Sequence, residues 1–253
     1  MYPDIVDHGV TPIIHYLRFG IQEGRHPFIN LSKHISKGKK RYDHNKETIV
    51  FVTHETSASG APLLGFAISD ELGKKYNIVH IVLKEENIQD IFLNSCDMML
   101  TNIQTTTYAY SYLFLEKLLR ERPIKSVIIN SIVGHQVLDA AKILKIPVVF
   151  LIHEFADYTR PKGTMVNAVL KSEIVIVPAN IIKNSIVKEF EEYTKITDIS
   201  SKIHILPQGK LPFIPDTYGD DDTVDDLYKK LDINNAEDVK IIVGSGWVQI
   251  RKG

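Results

Sequence analysis

Hydrophobic positions along this 253-residue chain follow two alternating patterns. Short runs of β-branched and aromatic residues recur: Thr48-Ile49-Val50-Phe51-Val52-Thr53, Ile78-Val79-His80-Ile81-Val82-Leu83, Ser126-Val127-Ile128-Ile129-Asn130, Pro147-Val148-Val149-Phe150-Leu151-Ile152, Ile174-Val175-Ile176-Val177 and Lys202-Ile203-His204-Ile205-Leu206. A strand that is apolar at successive positions, rather than at every second one, is covered on both faces. Between these runs, apolar residues step at helical spacing: Leu64, Ala67, Ile68 and Leu72; then Tyr108, Tyr112, Leu115 and Leu119, ending near Pro123; then Val137, Ala140, Ala141 and Leu144. The alternation predicts an α/β fold, a Rossmann-like parallel sheet with helices on both faces and right-handed crossovers. Sheets of this kind bind ligands beyond the carboxyl ends of their strands, so the residues after each run are the ones to search.

The rhythm has boundaries. Residues 1–29 read as a small helical unit: Thr11 caps a helix with Pro12 at its first position, Ile13, Ile14 and Leu17 form a stripe, and Gly20 and Gly24 stop it. Residues 30–46 are polar and basic and read as a linker, with solvated lysines. The α/β domain then occupies 47–213. Residues 214–238, with Asp220-Asp221-Asp222 and Asp225-Asp226, read as an acidic linker or insertion; they lack the glycine and terminal glutamate of a calcium loop. Val239-Lys240-Ile241-Ile242-Val243-Gly244 reads as a fresh strand, so 239–253 either joins the preceding sheet or opens a second domain whose remainder lies beyond this sequence.

Composition narrows the class. The hydrophobic share of 44% and charged share of 24% are those of a globular chain with a packed core. A formal net charge of -1 removes the simplest argument for a nucleic-acid binder, a strongly basic surface overall, while leaving a local basic patch open. Cys96 is the only cysteine, so no intrachain disulfide forms, a reducing compartment fits, and its apolar neighbours make it a packed thiol rather than a nucleophile. No basic-then-apolar leader begins the chain and no apolar run reaches the roughly 20 residues that span a bilayer. A cytoplasmic protein is expected, with peripheral contact at the inner face of a membrane left open.

Chemistry concentrates at the strand ends. After the first run come His54-Glu55-Thr56-Ser57-Ala58 and then Ser59, Gly60, Ala61 and Pro62, small residues leading into a helix whose first amides suit a phosphate or sugar hydroxyl. The segment is neither a dinucleotide fingerprint nor a Walker A loop, which disfavours a nicotinamide enzyme; a plain strand-to-helix turn is the bland alternative. His153 and Glu154 directly follow the 147–152 run, where a histidine donates to a hydroxyl or stabilises developing charge. The two His-Glu pairs lack metal-site spacing, so no metal is expected. Asn130-Ser131 ends another strand and either lines the same cleft or caps the next helix. Gly244, Gly246, Arg251 and Lys252 follow the last strand, where glycines admit a backbone approach and the basic pair neutralises a diphosphate; a basic surface tail is the alternative.

In this order, from about Thr48 to Gly253, the segments resemble the GT-B glycosyltransferases, in particular the large retaining family 4. The resemblance rests on the loop Ser59-Gly60-Ala61-Pro62, on His153, on the turn Pro207-Gln208-Gly209 (where the family has Pro-Asn-Gly), and on Val243-Gly244 with Lys252-Gly253. It implies hexosyl transfer from a nucleotide diphospho-sugar to a hydroxyl of a glycan or lipid-linked acceptor, with retention, without an essential metal and without a separate cofactor. Ser59, Gly60, Ala61, Pro62, Asn130, His153 and Glu154 would then face the acceptor and the transferred sugar, His153 being the catalytic candidate. The family's arginine after the strand glycine is replaced by Ser245-Gly246-Trp247, so the diphosphate role passes to Gly244, Gly246, Arg251 and Lys252. Its paired glutamates have no counterpart here, which implies a fragment inactive alone. Tyr2-Pro3-Asp4, Gly9-Val10-Thr11-Pro12, His15-Tyr16-Leu17, Gly20 and Glu23-Gly24-Arg25-His26-Pro27 resemble a short helical module often attached to bacterial glycosyltransferases. The alternative is a non-catalytic sugar- or partner-binding module on the same fold.

Overall fold

The computed structural model describes residues 30–104, 107–193 and 199–209, together with His15, Arg18, Phe19, Gln22 and Glu23. Gly244, Gly246, Arg251 and Lys252, the acidic stretch 214–238, the strand expected at 239–244 and most of the 1–29 unit lie outside the described residues.

The strands are β1 Ile35–Lys37, β2 Thr48–Glu55, β3 Asn77–Lys84, β4 Met98–Leu100, β5 Ile124–Asn130, β6 Val148–Leu151, β7 Ile174–Val177 and β8 Ile203–Ile205. They form one sheet in the order β1-β4-β3-β2-β5-β6-β7-β8. All neighbours pair in parallel except β1, which runs antiparallel to β4 at the edge. The helices are α1 Gly60–Gly73, α2 Gln89–Ser95, α3 Thr107–Glu121, α4 His135–Ile143, α5 Thr164–Lys171 and α6 Asn180–Tyr193. The chain builds outward from β2 to β4, then returns through α3 to the other side of β2. The order therefore reverses between β2 and β5, and that reversal opens a crevice at their carboxyl ends.

Each central strand feeds two cores, as its continuous apolar pattern requires. Val50, Val52, Val79, Ile81, Val127 and Ile129 pack beneath Phe114, Leu115 and Leu118 of α3 and Val137 and Ala141 of α4. The alternate residues Ile49, Phe51, Ile78 and Val82 pack with Phe92 of α2 and with Leu63, Phe66 and Leu72 of α1. On this second face α1 packs over β2, β3 and the edge of β5, and α2 packs beside α1. On the β5–β7 side, Ile128, Val149, Leu151 and Ile176 instead line a pocket.

The 30–46 segment departs from its expected linker character. Its lysines are solvated as charge demands, but its backbone belongs to the sheet: β1 pairs with β4, Gly38 N–H donates to the Asp97 carbonyl (2.9 Å), and Lys40 N–H donates to the Cys96 carbonyl (3.0 Å). The Asn77 side chain clamps the following turn, accepting from Asp43 N–H and donating to the carbonyls of Asp43 and Lys46. Gly38 is required by proximity, since a Cβ there would lie 2.0 Å from the Cys96 carbonyl oxygen. Cys96 is buried, and burial pushes its thiol up to about 12, so it is packing rather than chemistry. No described helix is long and apolar enough to cross a membrane.

Candidate functional site

The crevice is built from four strand ends and one helix start. His153 is the second residue after β6, held over the sheet by Ile152, which is fully buried. Its Nε2 lies 2.7 Å from Oδ1 of Asn130, the last residue of β5. Asn130 Nδ2 in turn donates to the carbonyl of Ala61 in the first turn of α1 (2.7 Å). The other ring nitrogen, Nδ1, is met by the Gln208 carboxamide from the segment after β8. Two loops and two strand ends thus converge on one imidazole.

Burial lowers the proton affinity of His153; the Glu154 carboxylate raises it and His54 lowers it further. His54, near the end of β2, is lowered by burial as well, with Glu55 and Glu154 opposing. Its Nδ1 is buried without a hydrogen-bond partner, and its Nε2 lies 3.7 Å from Glu55. Both imidazoles are therefore neutral near pH 7 and act as hydrogen-bonding groups rather than cations.

The sequence-selected residues divide into those that face the crevice and those that support it. Asn130 was expected to touch substrate, but it is fully buried and its amide is committed on both sides; it positions His153. Glu154 also acts inward: its carboxylate accepts from the Ser131 hydroxyl, from Ile132 N–H (3.3 Å) and from His153 N–H (3.1 Å). It thereby secures Ser131, whose φ of 87° is a strained value for a side-chain-bearing residue. Ser59 is the N-cap of α1, yet its side chain makes no cap bond. It faces the Ser57 hydroxyl at 2.9 Å, and Ser57 donates to Glu55 at 2.7 Å. Gly60 is exposed, with nothing within 4 Å of where a Cβ would stand, so the backbone at the start of α1 is open to approach there. Ala61 contributes its carbonyl to the Asn130 anchor, and Pro62 is buried in the first turn.

Beside His153 lies a pocket of about 340 Å³. Leu64, Ile68, Ile128, Val149, Leu151 and Ile176 form its apolar wall, and His153 and Gln208 its polar end. Gln208 lines this pocket and His54 acts electrostatically on His153 from outside it; strand-end reasoning selected neither. Gln208 sits in a Pro-Gln-Gly segment that reads locally as a turn. The resemblance marked Pro207-Gln208-Gly209 as a turn but implied no role for the glutamine. Among the described residues, no three His, Cys, Asp or Glu side chains are grouped to hold a metal ion.

Gly65 shows how tightly the support is built. A Cβ there would lie 2.6 Å from Asn130 Nδ2 and 3.2 Å from the Phe51 ring. Asn130 cannot yield without losing Ala61 or His153. Gly65→Ala is expected to cost about 1–2 kcal/mol of stability, overpacking outweighing the gain in helix propensity. Urea unfolding measures it; a stabilised variant would show that α1 is free to shift.

No family model and no curated protein sequence matches the chain. Solved structures do resemble it. HepE from Anabaena in complex with UDP-glucose superposes with a TM-score of 0.54 and 14% identity, over 74% of this chain and 50% of HepE. The HepE complex with UDP gives 0.51 and 13%, over 64% of this chain and 44% of HepE. The chain thus spans about half the length of this neighbour, and at such identities the likeness concerns the fold. The described domain is an α/β, Rossmann-like parallel sheet with helices on both faces, the architecture of the N-terminal half of a GT-B fold.

Proposed function

We propose that this chain is the acceptor-side part of a glycosyltransferase. It would transfer a hexosyl group from a nucleotide diphospho-sugar to a hydroxyl of a glycan or lipid-linked acceptor, with retained configuration and no essential metal. The supporting observation is the convergence of His153, Gln208 and the open α1 N-terminus at the strand-order reversal, in a fold shared with half of a protein crystallised with UDP-glucose. In the transfer, the anomeric C–O bond to the diphosphate breaks and a bond to the acceptor oxygen forms. The diphosphate departs with the electron pair and takes up the proton that the acceptor hydroxyl loses. Stabilising that departing charge is the task of helix amides and basic side chains, for which Gly244, Gly246, Arg251 and Lys252 are the proposed groups on the donor side. His153, a neutral imidazole with both nitrogens engaged, is suited to holding a sugar hydroxyl rather than to removing a proton.

His153→Ala, in a protein that carries the donor-side domain, is expected to lower kcat/KM for sugar transfer by about 100-fold. Transfer persisting undiminished would falsify the assignment. The 253-residue chain alone is expected to show no transfer, and robust turnover by it would refute the division of labour. A non-catalytic sugar-binding module is the second reading, favoured by the engagement of both His153 nitrogens within the protein. Nucleotide-sugar binding without turnover by the longer protein would select it.

A further inference from the structure

The hydrogen-bond chain through His153 fixes where its proton sits. A backbone carbonyl only accepts, so the end of the Asn130 carboxamide facing the Ala61 oxygen is Nδ2. The other end, Oδ1, then faces His153 Nε2 at 2.7 Å, and this nitrogen carries the proton. Turned over, Asn130 would set Oδ1 against the Ala61 oxygen, two acceptors facing each other in a fully buried place, so this orientation is fixed by its partner. Nδ1 of a neutral His153 is consequently a lone pair, and Gln208 presents Nε2 to it as donor. The two partners differ in one respect. Asn130 is buried and anchored, whereas Gln208 is exposed on the segment after β8 and lines the pocket.

We propose that Gln208 is a specificity-determining residue: its carboxamide N–H holds, on Nδ1 of a neutral, Nε2-protonated His153, the place of an incoming ligand hydroxyl, so that the site takes hydrogen-bond donors and turns away carboxylates. The ligand class rests on the sugar-transfer reading above; the tautomer and the Gln208 contact do not. When Gln208 swings off, a hydroxyl restores the donor that Nδ1 loses, so the exchange conserves hydrogen bonds. A carboxylate sets its lone pairs against that of Nδ1. It also adds a negative charge beside Glu154 and Glu55, the carboxylates that already act on the two imidazoles. Burial and the neighbouring His54 resist the second proton that would relieve this repulsion.

Multiple-bond 1H–15N NMR on the labelled full chain reads the proton directly, with the His153 signals assigned by their loss in His153→Gln. The Nε2–H tautomer is expected near pH 7 in the wild type and in Gln208→Ala, because Asn130 sets it. In Gln208→Glu a carboxylate beside Nδ1 favours the second proton, and the His153 pKa should rise by about one unit or more. Methyl glucoside should perturb Nδ1 of Gln208→Ala at several-fold lower concentration than in the wild type, and acetate, a carboxylate without a hydroxyl, should not. An Nδ1–H tautomer in the wild type, an unmoved pKa in Gln208→Glu, or an Nδ1 signal in Gln208→Ala that responds to neither molecule or to both alike would overturn the proposal. Failure of sugar transfer in the longer protein would sink the functional reading while leaving these NMR outcomes intact.

Discussion

Arg122→Met is expected to lower the free energy of unfolding by about 3–5 kcal/mol near neutral pH, the largest effect of any single change considered for this fold. Arg122 follows α3, and its Nη1 contacts both carboxylate oxygens of Asp97, at 2.7 and 2.9 Å. The two side chains are only 8% and 6% exposed, so water screens the pair little. The guanidinium also stacks over Tyr42 at 4.2 Å, so one side chain ties the end of α3 to the start of β4 and to the segment after β1. Burial pushes the Asp97 carboxyl above its ordinary value, and the Arg122 hydrogen bond and charge pull it back. With methionine in place, the buried carboxylate has lost its counter-charge. A carboxyl whose folded pKa is raised destabilises the fold more as pH rises, so the deficit should be full near neutral pH and narrow toward about pH 5 as Asp97 takes up a proton. Adding Asp97→Leu should recover most of the loss, because removing both charges also removes the desolvation cost. Urea unfolding of the single and double variants at both pH values decides the matter. A loss below about 1 kcal/mol for Arg122→Met would mean that the pair behaves as an exposed one.

Acid should destabilise the fold through His80, by up to about 3 kcal/mol between pH 6.5 and pH 4. His80 lies in the middle of β3, fully buried between the rings of Phe51 (6.0 Å) and Phe92 (5.2 Å). The hydroxyls of Ser69 and Ser95 donate to the carbonyls of Phe66 and Phe92, so toward His80 Nε2 they accept. That assigns the proton to Nε2. Burial lowers the pKa from 6.5 to about 4, with only the Phe51 backbone acting the other way. The folded state thus refuses a proton that the unfolded chain binds below pH 6.5. The stabilisation is complete above the unfolded value and is lost as pH falls toward the folded one. His54 and His153, lowered by burial too, act in the same direction. His80→Leu keeps the apolar environment and removes the titration, so its stability should fall less between pH 7 and pH 4 than that of the wild type. Parallel stability profiles for the two proteins would rule His80 out as the acid-sensitive group.

Both devices stand apart from the proposed sugar site. Asp97 and Arg122 secure the β1–β4 edge, and His80 lies between β3, α1 and α2. The carboxyl-end crevice carries a different set of polar groups, and there the stabilising bonds are also the functional ones. Asn130 satisfies the Ala61 carbonyl while orienting His153, and Glu154 secures the strained Ser131 while biasing both histidines. A substitution in this set is therefore expected to move stability and ligand binding together. At Gln208, which is exposed, the two should separate.

The one-dimensional pattern was enough to establish the repeating strand–helix units. An unbroken apolar run such as Val50 to Val52 has to be buried on two faces; in α1 the buried face is instead centred on Pro62, Gly65 and Ser69, and of the expected stripe Ile68 and Leu72 pack against the core while Leu64 lines the pocket. The pattern also placed His153 at a strand end, because a polar residue directly after a buried run marks where the strand leaves the core. Short elements escaped it. β1 and β4 have three residues each, too few for a period to appear, and in β1 the sheet is joined by backbone bonds that solvated lysines conceal. What only the tertiary structure decided was adjacency: that β5 returns to the side of β2, that Asn130 lies beneath His153 rather than in the cleft, and that Gln208 reaches across from the segment after β8 to the same ring. Periodicity records which face of an element is dry, a local property. Which elements become neighbours depends on how crossover helices pack over the sheet, so contacts between residues 23 and 55 positions apart leave no trace in either local pattern.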